Sequence, residues 1–193
     1  MPHLLAEGEI KTLSSRPVTI LDACVLINLL ATGRAEDIMS ESGYQFGICS
    51  VVKNESIYLR ATDLNAPPEQ VKLDAYIESN RLRVFELSGD EEKELYVDYA
   101  TELDDGEAMS LALVYSRGFS MASDDRKARR LFTEEIGDLK RLLSTSQILK
   151  EWSEKVGLNP VELKGVLTEV SRRGRFFPNS GDTHFAWWSK AML

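Results

Sequence analysis

The sequence predicts an α/β protein in three layers, with a mainly parallel central sheet, helices on both of its faces and further helices at the C-terminus. Three observations predict this. Short apolar runs such as "VTIL" alternate with longer amphipathic segments, the pattern of strands joined by crossover helices. The first two strand candidates, Val18–Leu21 and Phe46–Cys49, are short apolar runs, as in strands covered on both faces. Cap and stop residues, among them Ser50, Asp104, Gly118 and Asn159-Pro160, punctuate the alternation where helices should begin or end.

Taken in order, Val18–Leu21 reads as a strand that passes through Asp22 into a helix ending near Gly33. Phe46–Cys49 reads as a buried strand, with Ser50 as N-cap of a helix carrying Val51, Val52, Glu55, Ile57 and Tyr58. A further helix is expected in "APPEQVKLDAYIES", since proline suits a first helical turn. "LRVFEL" reads as a strand, and "SGDEEKELYVDYATEL" as a helix whose acids cluster at its N-terminal end. "DDGEAMSLALVYSRG" should be a helix stopping at Gly118, "FSMAS" a strand, "DRKARRLFTEEIG" a helix, "LKRLLS" a strand and "SQILKEWSEKVG" a helix. From Asn159-Pro160 a helix should reach about Arg173, "GRFFPNSGD" should break it, and "THFAWWSKAML" should form a short amphipathic end piece. The expected organisation is one domain over residues 1–155 and a helical extension over 156–193 packed on the same domain.

A chain of 193 residues suits one well-packed core. Its hydrophobic content of 43% and charged content of 28% do not indicate disorder. No apolar run approaches the roughly 18 to 20 residues that span a bilayer, and "MPHLLAEGEIKTLSSRP" lacks a signal pattern, so a cytoplasmic protein with no membrane partner is expected. Cys24 and Cys49 lie in apolar stretches without CxxC spacing and read as buried free thiols. With His3 and His184 the sole histidines, a zinc site or histidine acid–base chemistry would have to use the ends of the chain. The net charge of -8 argues against nucleic-acid binding by bulk electrostatics while allowing a local basic rim. No phosphate-cradling GxxxxGK[ST] or GxGxxG is present.

The acids fall at the ends of strands. Asp22 ends the first, Glu55 lies about one and a half helical turns beyond the second, Asp104, Asp105 and Glu107 stand where a loop enters a helix, and Asp124 and Asp125 end a later strand. Ligands of open parallel sheets bind beyond the carboxyl ends of the strands, so four segments deliver carboxylates to one edge. Clustered carboxylates repel one another until a cation neutralises them, and an all-oxygen donor set favours Mg²⁺ or Mn²⁺. A simpler role is open to each acid alone: the aspartates can cap helices, and Glu55 can be a solvated helix residue. Likewise Arg126, Lys127, Arg129 and Arg130, directly after the paired aspartates, form either a solvated helix face or a turn that holds phosphates.

Four pieces, "ILDACVLINLL", "SVVKNESI", "LDDGEAMSLALVYSRG" and "MASDDRKARR", resemble in content and order the PIN-domain family of metal-dependent nucleases, which includes the VapC-type toxins of toxin–antitoxin pairs. The similarity spans roughly residues 18 to 150 and is nearest to a branch with DxGEA and DDRxARR motifs, whose members are often described as nucleic-acid-binding proteins. It implies catalytic roles for Asp22, Glu55, Glu107 and Asp125, and metal contacts from these with Asp104 and Asp124. Arg126, Lys127, Arg129 and Arg130 would hold the phosphates that flank the scissile one. The activity implied is hydrolysis of single-stranded or structured RNA by metal-activated water, leaving 5′-phosphate and 3′-hydroxyl ends. A homodimer and an antitoxin protein are the partners implied. The chain departs from the family at Ala23 and Cys24, where a hydroxyl residue commonly follows the first aspartate; the loss removes a neighbour for that carboxylate and keeps open an inactive binding module of the same fold. Cys24 also occupies the position where phosphatases of the haloacid-dehalogenase type require a second aspartate.

Overall fold

The computed structural model describes residues 18–55, 57–61, 63 and 65–193, so the expectations for the N-terminal stretch, His3 included, lie outside the described residues. The main sheet contains β1 (Val18–Leu21), β2 (Gln45–Cys49), β5 (Leu82–Phe85), β6 (Ser120–Ala122) and β7 (Leu142–Leu143), all parallel, in the order β5-β2-β1-β6-β7. A separate antiparallel pair joins β3 (Ile57–Leu59) to β4 (Glu69–Val71). The helices are α1 (Ala23–Ala31), α2 (Ala35–Glu41), α3 (Ser50–Asn54), α4 (Asp74–Glu78), α5 (Gly89–Tyr99), α6 (Asp105–Arg117), α7 (Arg126–Glu135), α8 (Thr145–Val156), α9 (Pro160–Glu169) and α10 (Phe185–Met192).

β1 is the central strand, and every one of its residues is buried, which is why "VTIL" shows no polar alternation. From β1 the chain lays β2 and β5 on one side, then returns to place β6 and β7 on the other. Strand order therefore reverses between β1 and β6, and their carboxyl ends open into a crevice of the kind in which doubly wound sheets bind ligands. Leu21 pairs with Ala122 in register, so the next residues of the two strands, Asp22 and Ser123, leave the sheet side by side.

Helix α6 covers β1, β2 and β6, and α5 packs against α6. Its apolar run "AMSLALV" is buried from Ala108 to Val114, and it stops at Gly118, whose φ of +66° is the left-handed conformation that glycine adopts without a Cβ penalty. On the other side α1, α2, α8 and the C-terminal segments pack together. These C-terminal segments share the core of the sheet domain: Val166, Leu167, Val170 and Trp188 belong to the same buried cluster as Ile20 and Leu29.

Three local expectations are corrected. The helix after β2 ends at Asn54, so Glu55 takes an extended conformation and Ile57 and Tyr58 belong to β3. Pro67-Pro68 leads into β4, and a helix begins only at Asp74. Proline biases the residue before it towards extended geometry, and here β3 is available as a partner strand for Glu69–Val71. Part of "LKRLLS" is also a single 3-10 turn, Leu139–Arg141, leaving two residues for β7.

Candidate functional site

Asp22 comes directly after β1 at the crevice and is only 4% exposed. It occupies the N-cap position of α1 but makes no side-chain cap there. Instead its Oδ2 accepts a hydrogen bond from Ser123 Oγ at 2.8 Å, across the crevice, and one from Cys24 Sγ at 3.1 Å. The two donors, Ser123 and Cys24, hold the buried carboxylate in place. Burial, chiefly, raises the Asp22 carboxyl, with Asp104 adding repulsion.

Asp104 and Asp125 sit at the starts of α6 and α7 and do cap them. Asp104 Oδ1 accepts from Glu107 N at 2.9 Å, and Asp125 Oδ1 accepts from Lys127 N at 2.6 Å and Ala128 N at 3.0 Å. In both residues Oδ2 accepts no hydrogen bond among the described residues, so the capping role leaves one oxygen of each available. Ser123 Oγ also accepts from Asp125 N at 3.1 Å, tying the turns after β1 and β6 through one hydroxyl.

Glu55 approaches from the end of α3. A Cβ on Gly106 would lie 3.1 Å from Glu55 Oε1 and 3.6 Å from Asp104 Oδ1, so the glycine of "DDGEA" lets the second carboxylate close up against the start of α6. Burial first, then Asp104 and Asp22, raises the Glu55 carboxyl. The largest effect falls on Glu107, whose carboxyl is pushed up to about 7 by burial and by Asp22, Asp104 and Asp125. Asp22, Glu55, Asp104, Glu107 and Asp125 thus form one electrostatically coupled group. The positive N-terminal ends of α1, α6 and α7 meet there and offset part of the repulsion.

Asp124 is directed elsewhere. Its Oδ1 accepts from Thr145 N at 3.0 Å, and its Oδ2 accepts from Thr145 Oγ1 at 2.5 Å and Asn28 Nδ2 at 3.3 Å, so it joins β6, α1 and the start of α8. Asp105 accepts from Tyr96 OH at 3.2 Å, on the α5 side of α6. The basic residues also divide. Arg129 donates to the carbonyls of Ser123 and Leu143, both at 2.8 Å, and so pins the ends of β6 and β7. Lys127 reaches the Glu102 carbonyl, and Arg130 pairs with Glu102 and Glu134. Arg126 is exposed and has no side-chain partner among the described residues.

As donors for a hard divalent cation the clustered side chains fit in kind: all are carboxylates, none forms an ion pair with a Lys or Arg among the described residues, and Asp22 is buried. The fit lies in donor chemistry, because among the described residues no three acidic, histidine or cysteine side chains stand close enough to share an ion. Sequence reasoning missed Ser123, Asn28 and the thiol of Cys24 as partners of the aspartates. The serine immediately before "DD" was the available signal; Asn28 sits 96 residues from Asp124 and gave none. No helix among the described residues is long and apolar enough to cross a membrane. Neither a family model, nor a curated protein, nor a solved structure matches the chain.

Proposed function

We propose that this chain is a metal-dependent phosphodiester hydrolase of PIN type that acts on RNA in the cytoplasm. The observation that carries the reading is the meeting of carboxylates from four segments at the strand-order reversal, with Asp22 buried, Ser123 bonded to both Asp22 and Asp125, and Glu55 and Asp104 side by side at Gly106. Asp22, Glu107 and Asp125 would hold Mg²⁺ or Mn²⁺, with Glu55 and Asp104 beside them. When bound, such an ion supplies a water of lowered pKa and stabilises charge on the phosphate oxygens. The chain's own contribution is placement. Ser123 and Cys24 orient Asp22, Ser123 fixes Asp125 relative to it, and Gly106 admits Glu55. Arg129 braces the β6–α7 turn from behind, so the exposed Arg126 is the basic residue left to meet a flanking phosphate.

Purified protein should cleave labelled RNA with Mn²⁺ or Mg²⁺ and stop on addition of EDTA. Asp22→Asn should lower the rate at least about 100-fold with an unchanged circular dichroism spectrum. Cleavage that persists in EDTA, or at wild-type rate in Asp22→Asn, defeats the proposal. A second reading, an inactive module binding nucleic acid or protein, is favoured by the lack of a ready three-carboxylate cage among the described residues. RNA binding without cleavage under every divalent ion tried would support it. Pairing with an antitoxin belongs to the first reading, and co-purification of a small protein encoded beside the chain tests it.

A further inference from the structure

A cavity of about 760 Å³ opens beside the carboxylate crevice, between α7, the start of α8 and the segment from Phe176 to His184. Asp124 and Arg126 both line it, and they flank Asp125 in sequence, so crevice and cavity share the β6–α7 turn. The volume falls within the range of pockets that enclose small organic ligands, about 300–1,000 Å³.

Its wall carries an aromatic ring in an unusual position. Phe177 is 52% exposed, yet it is held edge-on by Phe185 and Trp188, both with centroids at 6.1 Å. A fixed and exposed ring presents a stacking surface at little entropic cost. The two acids of the wall are already satisfied: Asp124 by Thr145 and Asn28, and Asp182 by Ser146 Oγ at 2.8 Å and His184 N at 2.6 Å. Arg126 and the His184 imidazole, by contrast, have no side-chain partner among the described residues. Together these features offer a stacking ring, a free guanidinium and a free imidazole around one concavity next to a group of metal-seeking carboxylates.

We infer that this cavity is a nucleotide subsite, taking one nucleoside of a single-stranded nucleic acid with its base on Phe177 and its phosphate on Arg126. The inference rests on the phosphodiesterase reading and adds to it a place for one base outside the carboxylate crevice, on a ring of the C-terminal segment, which a base can take only when free of its duplex partner. It also gives the C-terminal segment a part in binding as well as in packing.

The test uses the full chain carrying Asp22→Asn, which keeps bound RNA intact, and fluorescence anisotropy with labelled oligo-U and oligo-A in Mg²⁺. Adding Phe177→Ala should weaken binding about 5- to 150-fold, as expected for one lost stacking platform, while Phe177→Trp should preserve it. Arg126→Ala should flatten the dependence of log K on log salt by about 0.7. Crosslinking of RNA containing 5-iodouridine, mapped by mass spectrometry, should reach residues 176–184 and decides the matter even where a variant fails to fold. Unchanged binding by Phe177→Ala and Arg126→Ala, or crosslinks confined elsewhere, overturns the subsite. Cleavage by the wild-type chain is measured in parallel: if it cleaves while the subsite variants bind normally, the subsite alone falls. If it fails to cleave while those variants lose binding, the subsite stands and the hydrolase reading falls. Absence of oligonucleotide binding overturns the subsite outright.

Discussion

At the scale of the residue, the carboxylate group stores repulsion that folding must overcome. Asp22 is 4% exposed and its ionised form is disfavoured chiefly by burial, and Glu107 feels Asp22, Asp104 and Asp125 at once. Removing one charge without changing shape should relieve this. Asp22→Asn keeps an oxygen for Ser123 Oγ, and Glu107→Gln keeps the side-chain volume, so each should raise Tm at pH 8 while lowering activity. For a chain of this size, each kcal/mol of relief corresponds to about 2–4 °C. Mn²⁺ should raise the wild-type Tm more than that of either variant, because the ion neutralises the charge the substitutions delete. Differential scanning calorimetry with and without Mn²⁺ measures both effects; a lower Tm in both variants, or an equal Mn²⁺ response in all three proteins, would contradict the repulsive cluster. Cys24 offers a residue-scale contrast. Burial and the neighbouring Asp22 raise its thiol, so it stays protonated and donates to Asp22, and it should resist alkylation in the folded protein.

At the scale of the element, α6 is anchored at both ends by carboxylates with opposite consequences. At its start Asp104 caps the helix within the crowded acid group. Near its end Arg117 forms a bidentate pair with Glu92 of α5, both contacts at 2.7 Å, and also reaches the Glu86 carbonyl. The Glu92 side chain is 9% exposed, and Arg117, followed by the Ser88 amide and Ser116 hydroxyl, holds its carboxyl down at about 2. A depressed carboxyl stabilises the fold above its unfolded value near 4.5, and the contribution is lost as pH falls from there through about 2. The pair should contribute roughly 3 kcal/mol at neutral pH. Arg117→Met should cost about 3–5 kcal/mol, since it leaves the buried Glu92 charge without its cation, held only by the Ser88 amide and the Ser116 hydroxyl. Chemical denaturation at pH 7 and pH 3 checks this: the gap between wild type and variant should narrow at pH 3, and a gap independent of pH refutes the assignment. Elements of this kind were legible in sequence where cap, apolar face and stop agree, as in "DDGEAMSLALVYSRG", and α6 matches that reading from Asp105 to Arg117. They were illegible where the deciding partner is distant. Ile57 and Tyr58 extend the apolar pattern of α3 by local spacing, yet Ile57 pairs with Val71 and Tyr58 with Gln70, contacts that no short window contains. The same blindness hid Asn28 and placed Glu55 on a helix that ends one residue before it.

At the scale of the whole molecule, the strand order brings together acids from four separate segments, and the C-terminal segments hold one side of that arrangement in place. Gly174, in the π-helical turn after α9, lies against α1: a Cβ there would stand 2.7 Å from Asn28 Oδ1. Through its Nδ2 the same amide bonds Thr145 and Asp124, so the chain after α9 packs against the residue that joins α1 to the end of β6 and the start of α8. The concentration of three Phe and two Trp after residue 175 admits two readings from sequence, a cover for its own domain or a contact with a second copy or an antitoxin. Trp188 is fully buried in the common core with Phe176 at 5.5 Å, whereas Phe177 remains half exposed, so the segment covers its own domain and still presents one ring outward. Truncating a core Trp to Ala costs about 3–5 kcal/mol, a large part of the 5–15 kcal/mol that holds a typical domain together. Trp188→Ala should therefore lower the unfolding free energy by that amount, with a matching fall in the denaturation midpoint, and deletion of residues 176–193 should give an aggregated or unfolded product. Light scattering and circular dichroism on the deletion product check this. A soluble, folded monomer would show that the sheet domain closes its core without the tail and that the aromatics serve a partner, whereas a folded dimer would remove the tail from both roles.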